Sequence, residues 1–331
     1  MPVRTTRWLP IHLSHVFLMA CFYALSLTPL YAAPIYGPWR SLAGLFLLGL
    51  GVFGWIPLWR ASARGISLRG SPYFLFLALM ARRLPCGRVR PPWRWYWRYP
   101  LVRYRWALLV LKAYYLPLVV GNLLVSLKTV WLLPQQELTF PLILLFVRRG
   151  AMLISSSIAT VGYTVESPRY GAPIKAVETN LIGWLFCLSC YPPVNAVPSR
   201  FITGHFWPQH LLFPAGSFMA AALAVGAVAF LAVHTWTIVA QGVRFANLTY
   251  RGTVSHGPFS MIRHPQYATK ALWWFCEWLP YFGSPRNIIA FCGWIGLYVG
   301  RALTEERFLS RFADYRAYRQ RVRWRFIPRV W

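Results

Sequence analysis

Acidic side chains are nearly missing from this sequence: 331 residues hold 7 Asp and Glu against 35 Lys and Arg, a formal net charge of +28. Charge of either sign is scarce, at 13% of residues, where a soluble domain carries about a quarter. Apolar residues fill the space, with 57% hydrophobic, 18% aromatic and a mean hydropathy of +0.43. Apolar stretches of about 20 residues recur, the length that crosses a hydrocarbon layer about 30 Å thick as a helix. The expected fold class is therefore all-α, a polytopic helical membrane protein with about eight transmembrane helices. They are placed near 9–32, 41–58, 106–127, 138–164, 177–197, 211–242, 266–282 and 286–303. The run from Leu9 exceeds the roughly 7–15 apolar residues of a signal-peptide core and reads as a first span. Its small-residue end, "YAA", leaves a cleavable signal as the alternative.

On a soluble protein such a basic excess would point to nucleic acid. Here the arginines flank apolar spans, where they orient helices and meet anionic headgroups. The partners this implies are membrane lipids, with no nucleic acid. The stretch 60–105 holds "RASARGISLRG" and "ARRLPCGRVRPPWRWYWRYPLVRYR" without one acid, so it is expected on the cytoplasmic side. The short apolar piece "SPYFLFLALM" within it is expected to lie in the interface. With the N-terminus inside, eight spans return both the loop before residue 265 and the C-terminal tail to the cytoplasm. The outer loops then hold only Arg40, Lys128, Arg200 and Arg286. Arg148 and Arg149 fall in the middle of the fourth span, where they line a protein interior or split the span in two.

Metal-binding patterns are missing as well. The six cysteines lie mostly in apolar runs, and "CLSC" at 187–190 reads as buried thiols rather than a redox pair. His12 and His15 are one helical turn apart but lack further ligands, so no metal site is expected. "GLGVFG" at 49–54 has dinucleotide-fingerprint spacing. It sits inside an apolar span with no strand before it, where glycines serve close helix packing.

With so few acids, the position of each is informative. Glu277 lies inside "WWFCEWLPYF", with Lys270 seven residues earlier on the same helical face. That spacing suggests a buried pair, with contact to a substrate as the rival role. Glu305 and Glu306 stand where the last span should leave the membrane. The following "RFLSRFADYRAYRQRV" puts Phe308, Phe312 and Tyr315 on one face and Arg307, Arg311 and Asp314 on another, as an interfacial helix would. Upstream, "RGTVSHGPFSMIRHPQY" breaks at Gly257–Pro258, and Pro265 suits the first turn of the next helix. Arg263 and His264 thereby stand at a helix N-terminus, a position suited to anions.

Taken together, "GPFSMIRHPQY", a helical hairpin and "EERFLSRFADYRAYRQRVRWRFIP" resemble the isoprenylcysteine carboxyl methyltransferase family and its phospholipid-methyltransferase relatives. That pattern reads G-P-[YF]-x-x-x-R-H-P-x-Y, two membrane helices, E-E-x-x-[LF], F-x-x-Y-x-x-Y, and R-[FI]-x-P. Gly257, Pro258, Phe259, Arg263, His264, Pro265 and Tyr267 match its first part. Glu305, Glu306, Phe312, Tyr315, Tyr318, Arg325 and Pro328 match the rest. The usual "FG" before the first tyrosine is Phe312–Ala313 here. The likeness covers about residues 244–331, while "ETNLIGWLFCLSCYPP" at 178–193 is similar to uncharacterised bacterial members. It divides the chain into N-terminal transmembrane helices with a basic cytoplasmic loop, 1–129, and a methyltransferase-like membrane core, 130–331.

The resemblance implies an S-adenosylmethionine-dependent methyltransferase in a bacterial inner membrane, its active site facing the cytoplasm and its acceptor a lipid or lipidated molecule. Carried over by position, the cofactor-binding residues would be Arg263, His264, Pro265, Tyr267, Glu305, Glu306 and Tyr318. Arg263 and Arg325 would be catalytic, Arg325 by orienting the acceptor. No side chain stands out as a general base, which favours carboxyl O-methylation, since a carboxylate acceptor is already ionised. Two rivals remain at this point. One is an NADPH-dependent, sterol-reductase-like enzyme with a similar hairpin, though the basic cluster expected before its acids reads "YVGRALTEER" here. The other is a non-catalytic lipid-binding membrane protein.

Overall fold

The computed structural model describes residues 100–132, 139–165, 173–192 and 216–331, with a few isolated positions elsewhere. The proposed spans at 9–32 and 41–58, the "GLGVFG" stretch, His12, His15 and most of the basic loop at 60–105 lie outside the described residues apart from isolated positions. The chain forms two compact units, Met1–Gly121 and Asn122–Trp331. In the first, the described residues belong mainly to α1 (Pro100–Leu132), whose apolar side chains Leu108, Leu111, Leu116 and Leu118 are buried.

The second unit is built from α2 (Phe140–Thr164), a two-residue strand β1 (Ala176–Val177), α3 (Leu181–Leu188) and α4 (Phe218–Gln241). Strand β2 (Thr249–Tyr250), α5 (Pro265–Trp278), α6 (Pro285–Leu309) and α7 (Ala313–Arg321) follow. β1 and β2 pair antiparallel, Ala176 opposite Tyr250 and Val177 opposite Thr249. Proline stands in the first turn of α2, α5 and α6, where its missing N–H has no helical partner to lose. Ser217 caps α4 by accepting from the Ala220 N–H.

Among the described residues, four helices are long and apolar enough to cross a membrane: Val110–Leu132, Phe140–Thr164, Phe218–Arg244 and Pro285–Leu309. The expected count of about eight reduces to these four over the described part of the chain. The apolar stretch at 177–197 is not a span. Its helix α3 has 8 residues, a length of about 12 Å. β1 precedes it, Asn180 caps its start by accepting from the Ile182 N–H, and turns follow it. At 266–282 the helix α5 has 14 residues, about 21 Å, before a 3-10 turn at Leu279–Tyr281. The span expected at 211–242 begins at Phe218, after Gly216 has turned the chain with φ +83°.

α2 runs unbroken through Arg148 and Arg149, and Arg148 ion-pairs with Glu277 of α5. The expected Lys270–Glu277 pair does not form; Lys270 instead donates to the Tyr298 hydroxyl at 2.9 Å. Spacing along one helix had suggested the first pairing, and a neighbouring helix supplied the partner.

α4 packs on α2 and α5 around Ala227, Leu231, Trp273 and Cys276, with Ala151 and Met152 against them. α6 packs on α3, where Gly300 permits the contact: a Cβ there would stand 2.3 Å from a Phe186 ring carbon. This arrangement brings the two motif segments, the turn before α5 and the tail after α6, to one end of the hairpin.

Candidate active site

The site starts from a turn. Gly257 takes φ +58°, a conformation that favours glycine, and opens the 3-10 segment Gly257–Ser260. Pro265 then starts α5, so Arg263 and His264 are held between two fixed bends. Their backbone N–H groups donate to the carbonyls of Trp324 and Arg325, each at 2.9 Å, which ties the tail to the turn.

Side chains lock the same junction. Glu306, 4% exposed, accepts on Oε1 from Arg263 Nε at 2.6 Å and on Oε2 from Arg325 Nε at 3.0 Å. His264 Nε2 is 3.3 Å from Oε1. Arg263 also donates to the carbonyls of Val322 and Arg323. A buried carboxylate with several charge-assisted donors is stable only while all its partners remain. Tyr318 completes the joint by donating to the Phe259 carbonyl at 2.7 Å, within a core of Phe259, Tyr315, Tyr318 and Val322.

Glu305 faces differently, since consecutive residues of a helix point about 100° apart. It is exposed, and its Oε2 accepts from the Tyr267 hydroxyl at 2.6 Å. Beside it opens a cleft of about 730 Å³ counted with the solvent at its mouth. Of the residues singled out in the sequence, Arg263, His264, Tyr267, Glu305 and Tyr318 line this cleft. Pro265, Glu306 and Arg325 are not on its wall; they hold the wall in place.

The expected cofactor-binding set leaves out other wall residues. Arg244, Tyr250, Arg251 and Gln266 line the cleft, and so does Tyr315. The buried Tyr315 hydroxyl has no hydrogen-bond partner among the described residues. Burial, then the nearby Glu306 and Glu305, push its pKa up, so it remains an O–H donor. The signal was in the sequence, because Tyr315 is the first tyrosine of F-x-x-Y-x-x-Y. Its helical period, however, also fits a core-facing stripe.

One flank of the cleft is latched to the tail. Asp314 accepts from the Tyr250 hydroxyl and, at 3.1 Å, from the Thr253 hydroxyl, while Tyr250 stacks on Phe312 with ring centres 3.8 Å apart. Burial raises the Asp314 pKa, but the hydrogen bonds from Tyr250 and Thr253 outweigh it and hold the group below the usual carboxylate value. Burial and the bond to Asp314 push the Tyr250 hydroxyl up to about 12. The cysteines of the described residues are free thiols, with Cys187 and Cys190 buried. Among the described residues no group of three or more His, Cys, Asp or Glu side chains is placed to hold a metal ion.

No protein-family model matches the chain, and no curated protein matches it either. The functional reading therefore stands on the motif residues and on the geometry that joins them.

Proposed function

We propose that the protein is a membrane-embedded methyltransferase that uses S-adenosylmethionine and acts on a lipid or lipidated acceptor, with carboxyl O-methylation favoured. The observation that carries this reading is convergence: the turn at 257–267, the acid Glu305 and the tail tyrosines, far apart in sequence, form one cleft. In a bacterial inner membrane, the basic tail would put that cleft on the cytoplasmic side.

The wall residues fit the donor's functional groups. Glu305 keeps a carboxylate beside Tyr267 that suits ribose hydroxyls and a neighbouring positive charge. Arg244, exposed and bonded to the Thr253 carbonyl at 3.4 Å, suits the methionine carboxylate. Tyr315 offers a buried O–H without a partner. The rings of His264 and Tyr267 give flat apolar walls for an adenine. Arg263 and Arg325, first expected to act catalytically, are engaged with Glu306, and we assign them the positioning of the turn and tail.

The sulfonium cofactor would supply a methyl group already activated for transfer. The chain's own task is then alignment and exclusion of water, which can lower a barrier by several kcal/mol. The basic lining by Arg244, Arg251 and Arg263 is the feature that would also suit NADPH, the cofactor of the reductase reading. Equilibrium binding to the purified full-length protein separates the two. Micromolar binding of S-adenosylmethionine or S-adenosylhomocysteine is expected, and binding of NADPH without either of them would overturn the proposal.

A further inference from the structure

From residue 311 to residue 331 the tail holds seven arginines and one acid, Asp314. The protein itself answers few of these charges. Asp314 is taken up by Tyr250 and Thr253. Arg325 is engaged by Glu306, and Arg311 faces Glu178 at 3.8 Å. Arg316 donates to the carbonyls of Ser310 and Arg311. Arg319, Arg321, Arg323 and Arg329 are exposed and have no acidic partner among the described residues.

Apolar side chains stand out beside them. The Trp331 carbonyl accepts from the N–H groups of Arg325, Phe326 and Ile327, which closes 325–331 into a loop. On that loop Ile327 is 53% exposed and Val330 72%. An apolar loop beside unanswered cations suits the boundary of an anionic bilayer. Ile327 and Val330 would enter the acyl edge, and the guanidinium groups would stay among the headgroups.

The chain fixes the height of this surface. Ser310–Phe312 alone separate α7 from α6, a helix long and apolar enough to cross a membrane. At its far end the tail bonds to Arg263 and His264, which directly precede α5. The tail thus lies at the end of the hairpin, where α6 would leave the apolar layer.

We propose that the tail, 311–331, docks on the anionic lipid headgroups of the protein's own bilayer, and that this docking steadies the cleft wall that the tail carries. Arginines of one sign repel one another, so without a counter-charge the repulsion works against the Glu306 junction. Lipid phosphates beside Arg319, Arg321, Arg323 and Arg329 remove it. Tyr315 and Tyr318 of the cleft wall belong to the same helix α7 and move with it. Anionic lipid is here an effector, neither methyl donor nor acceptor, and the docking does not depend on methyl transfer.

Hydrogen exchange of the full-length protein tests this in nanodiscs of phosphatidylcholine alone and of phosphatidylcholine mixed with phosphatidylglycerol. Amides of 315–326 are expected to exchange at least about fivefold more slowly with phosphatidylglycerol, the share of one arginine at an anionic surface. High salt should erase most of the difference. Arg319→Gln with Arg321→Gln should narrow it, and so should Arg329→Gln alone. Arg286→Gln, exposed at the other end of α6, should leave it unchanged. Equal exchange in the two discs, the same difference in every tail variant, or an equal loss in Arg286→Gln would overturn the proposal. So would protection by heparin in phosphatidylcholine discs that phosphatidylglycerol does not reproduce, since the surface would then belong to a soluble polyanion.

Discussion

Arg263 and Glu306, 43 positions apart, meet at 2.6 Å where both side chains are almost wholly buried. The two acids of "EE" therefore have separate places: Glu306 joins turn to tail, and Glu305 faces the cleft. Glu306→Gln leaves Arg263 and Arg325 without a counter-charge, a loss of about 3–5 kcal/mol for a broken buried pair. We expect a lower unfolding midpoint and protease sensitivity at 322–326. An unchanged midpoint would show that the junction is held by the backbone bonds alone.

Tyr315→Phe isolates ligand contact from stability. Because the hydroxyl has no hydrogen-bond partner among the described residues, its removal should leave thermal stability level or slightly raised. Affinity for S-adenosylhomocysteine should fall about fivefold to tenfold, the loss of one hydrogen bond worth about 1–1.5 kcal/mol. Calorimetric titration beside a melting curve measures both. A stability loss with intact affinity would make Tyr315 a packing residue only.

The Asp314 latch sets a pH dependence of defined sign. Its folded pKa is depressed, so its contribution is present above the unfolded value of about 3.9 and is lost as pH falls through the folded one. Tyr250 acts at the other end. Its pKa is raised to about 12, so its contribution holds below the ordinary value of about 10 and is lost as pH climbs through the raised one. Hydrogen exchange at residues 249–253 should accelerate below pH 4, and Asp314→Asn should flatten that acid limb. A limb that survives the substitution would assign it elsewhere.

Arg148 and Glu277 offer a test inside the membrane region. Glu277→Met and Arg148→Met should each lower the unfolding midpoint by stranding the partner's charge, whereas the double substitution should be close to neutral. A double-mutant cycle on the unfolding midpoints gives the coupling. Additive single effects would mean that the two side chains do not depend on each other.

The sequence carried the long helices because an apolar run of span length leaves little choice of structure. It misjudged "LIGWLFCL", whose eight apolar residues look like part of a span until the Asn180 cap, the preceding strand and the following turns cut the helix short. The motif segments named part of the cleft wall, since the turn chemistry of Gly257 and Pro265 is local. The division of labour between Glu305 and Glu306 was not legible, because it depends on which helix face meets the tail. Nor was the Lys270–Tyr298 contact, whose partners lie on different helices, so the spacing of seven to Glu277 was a misleading guide.

The Glu306 junction makes the turn and the tail one mechanical piece. Arg263 and Arg325 hold the two oxygens of the same carboxylate, so the tail cannot leave the turn without uncovering a buried charge. Two walls of the cleft therefore move together or not at all.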